Sequence, residues 1–132
     1  MKLKQKGRYF ELPIVGWTIK KIIFDGLLTL VFDDQEESYL QLHSTFKVTQ
    51  YNQTKDISPR DKDGLTIFYD HYEQTIKDAK ADGDGNLWLT FDNGTEITVE
   101  DGPFENWHYT KKNLTNPMDS LHVHGGIGQT VF

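Results

Sequence analysis

Cysteine is absent from this chain of 132 residues. That excludes a disulfide scaffold, a thiolate metal site and a cysteine nucleophile, and it fits a reducing compartment. Long apolar runs near the start are missing too. The basic beginning (Lys2, Lys4, Lys6, Arg8) leads only to Leu12–Val15, which Pro13 interrupts. Neither a signal peptide nor a membrane span is predicted, and the expected location is the cytoplasm. No G-x-S-x-G elbow exists to carry a serine nucleophile. Gly125, Gly126 and Gly128 follow a strand-like piece but leave only four residues after them, so no glycine loop opens a phosphate-binding helix. Basic residues are scarce beyond the start: residues 22–105 carry eighteen acids against six bases, a net of −12, whereas residues 1–21 carry +5. An acidic body argues against nucleic acid as the ligand, because phosphate contacts need clustered Lys and Arg. It fits either a solvated surface or an acidic face for a basic partner.

A chain of this length is expected to form a single domain, residues 1–132, which buries roughly two-thirds of its unfolded surface without staples. Its clearest stretch runs from Asp82 to His108. Leu87, Leu89 and Phe91 alternate with Trp88 and Thr90, and Ile97 and Val99 alternate with Glu96, Thr98 and Glu100. Period two with aromatic and β-branched residues predicts two half-buried strands joined at Asp92-Asn93-Gly94. A two-residue loop would put Ile97 and Val99 on the wrong face. A three-residue loop with Gly94 left-handed pairs Leu89 with Ile97 and Leu87 with Val99.

The same pattern occurs earlier. Ile19–Phe24, the Asp25-Gly26 turn, Leu28–Phe32 and the pair Leu40 and Leu42 run parallel to Ile76–Ala81, Asp82-Gly83, Leu87–Phe91 and the pair Ile97 and Val99. The offset is the same at both ends, from Ile19 to Ile76 and from Leu40 to Ile97. The fold class predicted is mostly β (α+β): two duplicated antiparallel β-meanders, about residues 18–44 and 75–101, forming a curved sheet or a sandwich. Ile22, Ile23 and Phe24 are buried candidates with Ile19. Between the copies, Leu65, Phe68, Tyr69 and Tyr72 make a helical stripe behind Ser58 as cap and Pro59 at the first position. That predicts one short helix, about residues 59–72, with a strand over Leu65–Tyr69 as the rival. Lys2–Phe10 reads as a frayed start or an edge strand, and Thr45–Lys55 as a further strand or a fraying continuation. Trp107–Thr110, Leu121–His124 and Ile127–Phe132 are strand-like as well.

Candidates for chemistry are few. His122 and His124 lie on one face of a strand at a spacing that suits a metal. The rest of a cupin motif is missing, since no Glu follows at the required distance. Asp82, Asp84 and Asn86 resemble the start of a calcium loop, yet Leu87 and Asn93 stand where its glycine and bidentate Glu are needed. Phe104-Glu105-Asn106-Trp107, after a Gly-Pro bend, reads in two ways. Trp107 can plug the end of the core with Glu105 accepting N–H bonds, or the stretch can be a recognition spot.

Gly85, Leu87, Leu89, Phe91, Asn93 and Gly94, then Phe104-Glu105-Asn106-Trp107, then Gly125-Gly126 form an ordered set. The set resembles that of small, uncharacterised bacterial β-rich domains with a Y/F-E-x-W motif and a terminal G-G; it covers residues 12–132. His124 departs from the proline usual there, and the acidic loop Asp33–Glu37 is longer. The resemblance implies an immunity protein of a bacterial toxin system: a non-enzymatic, cofactor-free protein that neutralises a cognate toxin domain, expected to be a basic, nuclease-like one. On that reading Asp33, Asp34, Glu36 and Glu37 meet a basic cleft with Tyr39 as aromatic anchor, and Glu105 and Trp107 add specificity. The alternatives are a metal-dependent cupin-like enzyme using His122, His124 and His108, and a structural homo-oligomeric module.

Overall fold

The computed structural model describes residues 3–132, so Lys2 of the expected first strand lies outside them. Where an edge strand was one reading of the start, a short hairpin forms from β1 (Lys4–Lys6) and β2 (Tyr9–Glu11). The first meander is β3 (Ile19–Phe24), β4 (Leu28–Phe32) and β5 (Tyr39–Leu42). A hairpin of β6 (Phe46–Gln50) and β7 (Gln53–Ile57) follows, then helix α1 (Lys62–Tyr69). The second meander is β8 (Ile76–Ala81), β9 (Leu87–Phe91) and β10 (Glu96–Val99). The chain ends with β11 (Glu105–Lys111), a short 3-10 turn, β12 (Leu121–Gly126) and β13 (Gln129–Val131).

These strands make two antiparallel sheets. One has the order β1-β2-β8-β9-β10-β6-β7 and the other β13-β12-β11-β5-β4-β3. Each meander therefore occupies its own sheet, and each then gives its next two strands to the other. β6 follows the first meander yet pairs with β10, while β11 follows the second yet pairs with β5. The two meanders also share an irregularity: the register shifts between Ile19 and Lys21 in one and between Ile76 and Asp78 in the other. The inner faces meet in one core that includes Leu12, Ile14, Phe32, Phe46, Phe68, Phe91, Trp107 and Tyr109.

The Asp92–Gly94 loop has the expected register, with Leu89 opposite Ile97 and Leu87 opposite Val99. Phe91 N donates to Thr95 O at 2.9 Å and Gly94, at φ +88°, closes the turn onto Phe91 O. A left-handed residue there keeps both apolar strands facing inward, which a two-residue loop cannot do.

Three expectations need correction. The helix is shorter than residues 59–72. It starts at Lys62 behind Asp61, which makes no side-chain cap, and Pro59 is buried ahead of it. The rival strand over Leu65–Tyr69 does not form. Gly64 serves packing here: a Cβ on it would come within 2.7 Å of Ser58 O and 2.9 Å of a Leu28 methyl carbon, so the helix lies close over β4. Ile23 and Phe24 are 39% and 41% exposed, because β3 is an outer strand of its sheet and lacks a neighbour on one side. Lastly, the segment after Thr45 is two strands. Tyr51 and Asn52 both take positive φ (51° and 62°), the backbone of a two-residue hairpin turn. His71 then ties the end of α1 to the β9–β10 loop: Nδ1 donates to Ile67 O at 2.7 Å and Nε2 accepts from Thr95 Oγ1 at 3.0 Å. It is a buried, satisfied core histidine.

Candidate functional site

The sheet that carries β4, β5 and β11 turns Leu28, Leu30, Phe32, Leu40, Leu42, Trp107 and Tyr109 into the core. Strict alternation sends the intervening residues to the outer face. Register places His108 opposite His124 and Thr110 opposite His122, so these four share that face. His108 is also opposite Gln41 on β5, and His43 follows just past the end of that strand. There its backbone N–H donates to Asn106 O at 2.9 Å.

Glu105 joins them because of a bulge. Without it, Glu105 would share the inward face of Trp107 and Tyr109. The register of β11 shifts between Glu105 and Trp107. The extra residue there is Asn106, which is buried and donates through Nδ2 to Glu100 O at 2.9 Å. A bulge re-aims the side chain before it, and Glu105 faces the histidines. His108 Nε2 donates to Glu105 Oε2 at 2.6 Å, and His124 Nδ1 lies 3.4 Å from Glu105 Oε1. The His108 ring is stacked between two others: its centroid is 4.9 Å from that of His43 and 5.2 Å from that of His124. The hydrogen bond from His108 holds the Glu105 carboxyl below the usual carboxylate range. Burial, then the neighbouring His108, push His43 down, and its Nε2 is buried without a hydrogen-bond partner among the described residues. Nitrogen and oxygen donors gathered this closely can hold a proton between them or a cation among them.

Further along the same face, a depression of about 360 Å³ is lined by Ile23, Asp25, Leu27, Thr29, Tyr39 and Gln41. Charge is distributed unevenly between the two sheets. β4, β5, β12 and β13 contain no Lys, Arg, Asp or Glu, and β11 has Glu105 and Lys111 at its ends. In that sheet only the outer strand β3 adds more, with Lys20 and Lys21, whereas β6, β7, β8 and β10 of the other sheet all carry charged residues.

The residues expected to contact a partner fall into three groups. Tyr39 is half-buried beside the depression, and Glu105 is exposed in the cluster. Trp107 is fully buried and offers no surface; its indole N–H donates to Gly85 O at 3.1 Å and not to Glu105. Trp107 does fill the end of the core. Asp34 is buried as well, accepting from Ser38 N at 2.7 Å and Ser38 Oγ at 2.6 Å. The Tyr109 phenol lies beneath this loop, where burial pushes its pKa up. Of the remaining acids of the loop, Asp33 and Glu37 are exposed and Glu36 is half-buried, and each has a partner of its own. Asp33 accepts from Thr18 N and Oγ1 at 2.8 and 2.7 Å, Glu37 meets Lys20 at 2.6 Å, and Glu36 lies 3.8 Å from Lys111. Replacing Asp34 with Ala would therefore act on stability. It strands the Ser38 N–H in a buried site, which costs about 2–3 kcal/mol, and a urea midpoint that moves by less than the equivalent of about 0.5 kcal/mol would refute this role for the loop.

Of the two histidines whose spacing suits a metal, His124 is in the cluster and His122 is not; His122 is exposed and lies 3.5 Å from Thr110 Oγ1. His43 was missed. It stands far from His108 in the chain, with half the sequence between them, and only the β5–β11 pairing brings the two together.

The molecule is thus a two-sheet antiparallel β sandwich whose charge-poor outer face ends in a histidine–glutamate cluster. The chain belongs to a family of unknown function (DUF6188), whose model matches residues 10–117. That range holds His43, Glu105 and His108 and stops before His124. No curated protein and no solved structure matches the chain. Among the described residues, no helix is long and apolar enough to cross a membrane.

Proposed function

We propose that this protein is a non-enzymatic binding protein of the immunity type, which neutralises a cognate bacterial toxin domain by docking it on the outer face of the β13-β12-β11-β5-β4-β3 sheet. The observation that carries the reading is the charge-poor character of that face. Cores of protein interfaces are depleted in charged residues and enriched in aromatic ones, with a polar rim around them. Here Tyr39, Gln41 and Thr29 surround a shallow depression, with Asp25 at its border and the acidic β4–β5 loop nearby. A net charge of −6 favours a basic partner and speeds its approach at low salt. The internal partners of Asp33, Asp34 and Glu37 make the loop a weaker contact than its composition suggests, so the reading rests on the face and treats the loop as rim.

Co-expression with the neighbouring toxin gene tests it. Cells are expected to grow with the wild-type chain and to die with Gln41→Arg, which puts a cation in the middle of the face while far-UV circular dichroism stays unchanged. Death with the wild-type chain, or equal growth with the folded variant, overturns the proposal.

A further inference from the structure

We infer that Glu105, His108 and His124 form a binding site for a divalent transition-metal ion, zinc being the best match to two imidazoles and one carboxylate. Their donor atoms all lie within 4.8 Å of one another. Ligands held about 2.0–2.1 Å from a tetrahedral ion are roughly 3.4 Å apart, and the His124 Nδ1 to Glu105 Oε1 separation is already 3.4 Å. The closer His108–Glu105 pair, at 2.6 Å, is a hydrogen bond that an entering ion replaces by small side-chain rotations.

Two features separate this group from a chance cluster on a surface. First, the backbone is irregular where the site needs it: the β11 bulge moves Glu105 from the core side to the histidine side. Second, the rings are held in place before any ion arrives. His108 is stacked between His43 and His124, so its side chain has little freedom left to lose on binding. The side chains of Glu105, His108 and His124 are 46%, 33% and 32% exposed, which leaves an entry path and a side open to solvent. Three protein donors with an open position characterise sites that keep a water or an exogenous ligand on the ion, as opposed to closed structural sites. Imidazole with carboxylate favours zinc and its neighbours over calcium or magnesium, which prefer all-oxygen shells.

The inference does not depend on the docking reading, and its test uses the untagged full-length chain stripped of metal by chelation. Titration calorimetry with Zn²⁺ is expected to show one ion bound per chain. Glu105→Gln, His108→Gln and His124→Gln should each weaken binding at least about tenfold, the lower end of what is lost when even an outer partner of a metal ligand is removed. His122→Gln, on the same face but outside the cluster, should leave affinity unchanged. Absence of stoichiometric binding to the wild-type chain overturns the site. So does a loss with His122→Gln equal to that with His124→Gln, or full affinity in Glu105→Gln.

Discussion

Replacing Trp107 with alanine is expected to lower the stability of this protein by about 4–8 kcal/mol, a large fraction of the ~5–15 kcal/mol that holds a typical domain together. Trp107 is fully buried, and truncating a buried aromatic to alanine costs about 3–5 kcal/mol in lost transfer energy and residual cavity. A further contribution comes from its polar edge. The indole N–H is bonded to Gly85 O, and without it that buried carbonyl loses its partner, at about 1–3 kcal/mol. At roughly 3–4 °C per kcal/mol the midpoint of thermal unfolding falls by about 12–32 °C. Trp107→Phe removes the donor and a smaller part of the volume, so its loss should fall between that of the orphaned carbonyl, about 1–3 kcal/mol, and that of the alanine variant. Urea denaturation of the three proteins measures both steps. A loss for the alanine variant well under the usual range of about 3–5 kcal/mol would mean that the core closes over the gap. The account of Trp107 as the filler at this end would then fail.

The role of Trp107 shows what could be read before any coordinates and what could not. Period two and a Gly94 turn set the β9–β10 register, because a slip of one residue would expose Ile97 and Val99. The likeness of the two meanders was visible in the same way, down to the constant offset that takes Ile19 to Ile76 and Leu40 to Ile97. The exchange of β6 and β11 between the sheets was not. It depends on which apolar edge each strand meets in space, and alternation is blind to that. The β6–β7 turn was hidden because Tyr51 takes a positive φ, which its residue type does not announce. Glu105 was singled out with the wrong partner. Counting by twos from Trp107 puts it on the core side, and a bulge leaves no local mark that alternation can detect. The acidic loop misled for a different reason. A run of carboxylates reads as free charge, yet Thr18, Ser38 and Lys20 hold three of them. Composition records the sign of a charge without recording its partner.

The second large effect is expected at Gly126, opposite Glu105 in the β11–β12 pair. A Cβ built on it would overlap the Phe104 carbonyl oxygen and stand 2.8 Å from Glu105 Cα. Both obstacles are backbone, so no rotamer change relieves them. The residue also sits at φ +141°, a conformation that side chains rarely adopt and that costs on the order of 1–3 kcal/mol. Overpacking adds about 1–3 kcal/mol. Gly126→Ala should therefore lose about 2–6 kcal/mol, whereas Gly83→Ala, where a Cβ would meet nothing within 4 Å, should stay close to the wild-type midpoint. The consequence reaches the cluster, because the strand that must move to make room is the bulged one that aims Glu105 at His108 and His124. Any Gly126→Ala protein that still folds should bind Zn²⁺ at least about tenfold more weakly, as if a partner one step outside the ligands had been lost, although no donor atom has been changed. Wild-type stability in this variant would show that the β11–β12 backbones are not in close contact. A stability loss with unaltered zinc affinity would show that the bulge does not position the carboxylate.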